Sequence, residues 1–179
     1  KLDRATGRVV WNVGRRTEEV AYGTPCIHAP PGGRAEIILS SHAHGISSLD
    51  PATGATNWEA HVFDKRTVSS PVLARGLAIG TCGSGAGGNF LVAVRLGGKG
   101  DVTATHVAYT LRKSMPYVPT PIVVDDLLFC WGDGGVVSCV EAPTGNILWQ
   151  ERVDGAFSGS PARAGDRIYA MSEGGEVFV

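Results

Sequence analysis

The sequence has little that would make a helical, membrane-spanning or strongly charged protein. No window of about 11 residues carries a convincing 3.6-residue apolar period, so solenoids of helix pairs are excluded. No apolar run reaches the roughly 20 residues that a membrane helix requires. The opening KLDRATGRVVW lacks the charged-then-apolar layout of a signal peptide. It starts without Met in what reads as the middle of a hairpin, which leaves a leader on a longer parent open. Sixteen basic and seventeen acidic residues leave a net charge of -1, with no global field to draw the chain onto nucleic acid or an anionic membrane.

Cysteine is scarce as well. Cys26, Cys82, Cys130 and Cys139 fit neither a metal-ligand spacing nor a dense disulfide framework; they read as unpaired residues on half-buried strands, with an approach of Cys130 and Cys139 across one hairpin turn left open. No nucleophile elbow, Walker loop or zinc-protease helix is present. The glycine-rich GTCGSGAGGN, Gly80 to Asn89, joins two strands and does not lead into a helix, so a flexible turn accounts for it better than a phosphate cradle.

What the chain has in excess is glycine, 25 of 179 residues, about twice the usual share of roughly 7%. With ten dispersed prolines, this means many turns. The turns recur. LDRATGRVVW (Leu2–Trp11), LDPATGATNW (Leu49–Trp58) and VEAPTGNILW (Val140–Trp149) are one motif, with tryptophans 47 and then 91 residues apart. A degenerate copy at Val94–Tyr109 lies between the last two and lacks the tryptophan. A second marker keeps the same beat in the prolines Pro25, Pro71, Pro121 and Pro161, each preceded by Ser or Thr.

Between markers the chain reads as short apolar and β-branched runs separated by turns, four strands to a unit of about 45 residues. That is the signature of an all-β propeller built from four-stranded antiparallel blades. The expected layout is an outer strand and connection at 1–19, blades at 20–67, 68–117 and 118–157, and a partial blade at 158–179. In each motif the acid accepts backbone N–H groups, the glycine supplies the positive φ of the turn, and the tryptophan opens the outer strand as a staple between blades.

Asp3, Gly7 and Trp11, then Asp50, Gly54 and Trp58, resemble the core D-x-x-x-G-x-x-x-W of the tryptophan-docking motif of quinoprotein-type, PQQ-like propellers. Glu141, Gly145 and Trp149 match with a conservative change at the acid. The resemblance covers essentially the whole chain. It is closest to the bacterial PQQ-like propellers that include the scaffold lipoprotein of outer-membrane protein assembly and many exported proteins. It implies six to eight blades in a larger parent, a location in the periplasm or cell envelope, and a partner that is a protein or the remaining blades. Exposed blade edges then favour self-association. GEVFV at the end followed by KLDRATGRVVW reads as one unit, so closure of a four-blade ring is also open.

Quinone dehydrogenases of the same resemblance imply pyrroloquinoline quinone beside Ca²⁺ and often an adjacent cysteine pair. No such pair and no calcium-type acid cluster occurs here, so no catalytic, cofactor or metal residue is assigned. The preferred reading is a non-catalytic scaffold or binding module; the alternative is a fragment of a PQQ- and Ca-dependent dehydrogenase. A module that only spaces other domains is a third. The candidate binding face combines the basic doublets Arg15-Arg16, Lys65-Arg66 and Arg112-Lys113 with His42, His44, Tyr117 and Trp131, and with Tyr22 and Phe157 nearby. His42 and His44 share one strand face, which supplies two metal ligands where zinc needs a third.

Overall fold

A computed structural model describes all of residues 1–179. The first antiparallel sheet runs β1 (Cys26–His28), β2 (Glu36–Ser41), β3 (Gly45–Leu49) and β4 (Thr56–Ala60). Next come β5 (Val72–Ala74), β6 (Leu77–Cys82), β7 (Phe90–Arg95), β8 (Gly100–Asp101), a single helical turn α1 (Thr103–His106) and β9 (Val107–Leu111). The third sheet holds β10 (Ile122–Val124), β11 (Leu127–Trp131), β12 (Val136–Glu141) and β13 (Asn146–Arg152), and the fourth holds β14 (Ala162–Ala164), β15 (Arg167–Met171) and β16 (Val177–Phe178). The second sheet is β5-β6-β7-β9. These are the blades of a propeller, joined in a simple meander.

Blade stacking follows from the two-residue period of a strand. In the second blade Ala78, Phe90, Val92 and Val94 pack toward the first blade with Ile38, Ile46 and Trp58. Their neighbours Leu77, Ile79, Leu91 and Ala93 point the other way, onto Leu128, Cys130 and Val140 of the third blade. A strand buried on both sides needs apolar residues at every position, and LAIGTC in β6 is buried throughout. Each fully buried aliphatic side chain stabilises this stack by about 1.5–3 kcal/mol.

The Ser/Thr-Pro markers form a relay from blade to blade. The Thr24 amide donates to Ser70 Oγ (2.8 Å), the Ser70 amide to Thr120 Oγ1 (3.0 Å) and the Thr120 amide to Ser160 Oγ (3.0 Å). Each hydroxyl thus satisfies an amide that no ladder reaches, while the following proline has no N–H to satisfy.

The acid-glycine turns seat aromatic rings from the preceding unit. Asp50 Oδ1 accepts the Ala52 amide (2.7 Å) and the Thr53 amide (3.3 Å), and the Gly54 amide closes on the Asp50 carbonyl (2.8 Å). Gly54 has φ +77°, and a Cβ there would come 2.8 Å from the Trp11 ring. Trp11 Nε1 donates to the Pro51 carbonyl (3.3 Å). The third blade repeats the seat with a different ring. A Cβ on Gly145 would lie 2.6 Å from Tyr109, whose hydroxyl donates to the Ala142 carbonyl (2.7 Å). Pro51 and Ala142 each follow the motif acid, so a phenol here does what an indole N–H does one unit earlier. Glu141, being longer, accepts the Thr144 hydroxyl (2.5 Å) and the Asn146 amide side chain (3.2 Å), where Asp50 accepts backbone amides.

Three local expectations change. Residues 8–13 do not make an outer strand: they pair back on Lys1–Asp3 as a short hairpin, with the Leu2–Val9 bridge and the Asp3 and Val10 amides donating to the Arg8 (2.8 Å) and Lys1 (2.9 Å) carbonyls. Trp58 and Trp149 sit in the middle of β4 and β13 and do not open them. The degenerate copy at Val94–Tyr109 does not run straight into its outer strand: Asp101 accepts the Thr103 amide (2.9 Å) and hydroxyl (2.6 Å), beside the single helical turn α1 that precedes β9. The long turn before it lends β8 to the outer edge of the first sheet, pairing Gly100 beside Trp58 in parallel.

Candidate binding face

The β4–β5, β9–β10 and β13–β14 connections meet the β2–β3, β6–β7 and β11–β12 turns. Lys65 Nζ donates to the Gly87 (3.3 Å) and Gly88 (2.8 Å) carbonyls, and the Gly83 amide donates back to the Arg66 carbonyl (3.0 Å). In the next blade Asp133 accepts the Tyr117 (2.7 Å) and Val118 (3.0 Å) amides, and its own carbonyl accepts the Phe157 amide (2.8 Å). These turns clamp the Lys65 and Tyr117 connections to the blade that follows each of them.

Between the first clamp and Tyr117 lies a polar cleft of about 410 Å³ lined by Glu19, Asp64, Lys65, Arg66, Ser84 and Tyr117. Arg66 Nε lies 3.3 Å from Glu19, and that carboxylate, with Tyr117 after it, raises its pKa further. Arg112 lies over the Phe90 ring, 4.6 Å from its centroid. Arg16 and Lys113 are exposed without an ion-pair partner, and Arg16 edges a shallow recess with Thr17, Glu18 and His42.

Other expected members have left this surface. Arg15 turns inward, donating to Ser47 Oγ (2.7 Å) and lying 3.7 Å from Glu59, and burial lowers its pKa against that carboxylate. Glu59 also holds His44 Nδ1 (2.9 Å) and His61 Nε2 (3.6 Å). Sequence reading missed both Glu59 and His61, because the cluster spans β4, the β2–β3 turn and the N-terminal segment. Trp131 is not on the face: it is 7% exposed, packed 5.7 Å from Phe157 between the third and fourth blades. Phe157, 1% exposed, is core too. A wide aromatic after an apolar strand fills a blade interface as readily as it presents a surface. Tyr22 remains exposed.

The donor set does not fit a quinone with calcium. No three His, Cys, Asp or Glu side chains converge as ligands. His44 Nδ1 and His61 Nε2 point at the two oxygens of Glu59 itself, His61 Nδ1 lies 3.3 Å from the Ala43 carbonyl, and His44 Nε2 is buried without a partner. The four cysteines are free, and burial pushes the Cys82 thiol to about 11 and the Cys130 thiol to about 12. No helix is long and apolar enough to cross a membrane.

Comparison with solved structures agrees with this fold. BamB from Moraxella catarrhalis is similar at a TM-score of 0.60 and 19% identity over 80% of this chain. The chain spans 41% of that BamB chain. The computationally designed Ika4 protein is similar at 0.65 and 10% identity, over 92% of this chain and 91% of Ika4. The designed Ika8 protein scores 0.58 at 10% identity, over 80% of this chain and 41% of its own. No curated protein matches in sequence. The family described as outer membrane protein assembly factor BamB matches residues 1–114 and 113–179, and with its blades, turns and repeat the chain belongs to that family.

Proposed function

We propose that this BamB-like propeller scaffold is non-catalytic and binds a protein partner through the loop face, as part of a larger assembly in the periplasm or cell envelope. The observation that carries the reading is the polar cleft lined by Lys65, Arg66 and Tyr117, with Arg112 and Lys113 exposed on the β9–β10 connection and Arg16 exposed on the N-terminal segment. Cations on clamped loops present fixed charge at little ordering cost, which favours acidic segments of a partner and steers their approach. The family description, an assembly factor for outer membrane proteins, supports a protein partner and an envelope location. The blade edges at either end are the second association surface, for further blades or another copy.

Charge reversal tests the face. Arg66→Glu with Lys113→Glu spares Lys65, which holds a loop, and is expected to lower capture of a partner from envelope extracts at least tenfold. Capture by the wild type is expected to fall with salt. Equal capture by variant and wild type would remove the face from the account.

A further inference from the structure

The second blade departs from the repeat between its third and fourth strands. The first and third blades join these strands by an acid-glycine turn, whereas here the chain runs out along the first sheet as β8 and α1 before it enters β9. The excursion is anchored along its length. The Leu96 amide donates to the Gly76 carbonyl (2.8 Å), the Val102 amide donates to the Glu59 carbonyl (2.8 Å), and Gly100 pairs beside Trp58. Gly98 has φ +104°, and a Cβ there would come 2.8 Å from His106 Nε2 and 2.9 Å from Val102. A wall held this firmly needs no further ordering to receive a ligand.

The wall closes a polar cleft of about 310 Å³ against the first blade, beside the Asp50 turn and so at the end opposite the β2–β3 turn. Gly98 and Lys99 form one side, and Arg34, Glu36, Asp50 and Asn57 the other. Most of these groups are already engaged. Asp50 accepts turn amides with Oδ1 and the Arg34 guanidinium with Oδ2, and Asn57 Nδ2 donates to Ser48 Oγ (3.0 Å). Two groups remain. Glu36 Oε2 is buried without a hydrogen-bond partner, and Lys99 is exposed without an ion-pair partner. A buried carboxylate oxygen without a donor has lost its hydration and gained nothing in exchange. Opposite charges that line one cleft and do not meet leave room for a molecule that carries both signs.

We infer that this cleft binds a small polar zwitterion of the α-amino acid class, its ammonium group donating to Glu36 and its carboxylate accepting from Lys99. Arg34, Glu36, Asp50 and Lys99 sum to no net charge, so a ligand of one sign leaves a charge of the cleft unmatched. Ala35 is the one apolar residue of the lining, which calls for a polar side chain on the ligand, with Thr56 and the Asn57 carbonyl oxygen available to bond it. The site lies between two whole blades and is independent of the loop face.

Calorimetric titration with L-glutamine tests it against two matched halves: glutaramate, which lacks the ammonium group, and γ-aminobutyramide, which lacks the carboxylate. L-Glutamine is expected to bind at least tenfold more tightly than either half. Glu36→Gln and Lys99→Met are each expected to weaken it at least tenfold. Glu36→Gln is also expected to keep or raise the unfolding midpoint, because it removes an unpaired buried charge, so its loss of binding is not a loss of fold. Arg66→Glu with Lys113→Glu should bind L-glutamine like the wild type, which separates this site from the loop face. A wild type that binds no L-glutamine at millimolar concentration overturns the inference. So do halves that bind as tightly as the whole, or Glu36 and Lys99 variants that bind like the wild type.

Discussion

β4 and β13 hold the same place in their blades and carry the same motif tryptophan, yet Trp58 is fully buried and Trp149 is 44% exposed. The strands hardly differ in their own ladders. β3 pairs with β4 and β12 with β13, each with a bulge before the motif turn, and Asn57 and Gln150 donate to Ser48 and Ser138 at 3.0 and 2.8 Å. What differs is the neighbour. β4 is covered by the second blade and by β8, while β13 meets only the short sheet of β14, β15 and β16. In a repeat fold the worth of a residue is set by the interface with the next repeat more than by its own strand.

The sharpest way to break that comparison is to delete both rings. Trp58→Ala is expected to cost about 3–5 kcal/mol in denaturant unfolding, as buried aromatic truncations do. Trp149→Ala loses only the Phe129 contact (ring centroids 6.1 Å apart) and a partial burial, and is expected to cost about 1–2 kcal/mol. Equal losses would show that the motif acts inside its own blade.

Glycines sharpen it next. Gly145→Ala meets both a positive φ and the Tyr109 ring, whereas Gly76→Ala, at φ +77°, meets the first alone. The expected costs are roughly 2–4 and 1–2 kcal/mol. The gap between the two unfolding midpoints measures the seat.

Tyr109→Phe keeps the ring and removes the bond to the Ala142 carbonyl, for an expected loss of about 1 kcal/mol. A loss near zero would mean that the ring alone fills the place of the missing tryptophan.

The smallest effect is in pH. The Thr6 hydroxyl and amides hold the Asp3 carboxyl below its ordinary value. A carboxylate lowered in the folded state supports the hairpin above the usual carboxylate range and ceases to as pH falls through the folded value. Trp11 is therefore expected to leave Gly54 at acid pH before the blades unfold, seen as hairpin amides that exchange early below pH about 4.

Periodicity carried the architecture. Two markers in register give the blades, because turn glycines, prolines and alternating apolar residues are local requirements that any blade imposes on its own sequence. The Tyr109 seat was half legible: the unit was read as degenerate for want of a tryptophan, although a tyrosine with a polar tip stood near the right place. The loop face was least legible. Arg15 and Arg16 look alike in sequence, but only Arg15 finds Glu59 and Ser47, residues 44 and 32 positions away. Trp131 and Trp149 differ in the same manner, since the aromatic that the fourth blade covers is fixed by packing and leaves no local mark.

The measurement that reaches the central claim most directly is native-state hydrogen exchange along β4 and β13, at a concentration where the chain is monomeric. If neighbouring blades set the stability of each strand, the β4 amides should exchange only by global unfolding, and the β13 amides by local opening at least a hundredfold faster. Equal protection of the two strands would contradict it.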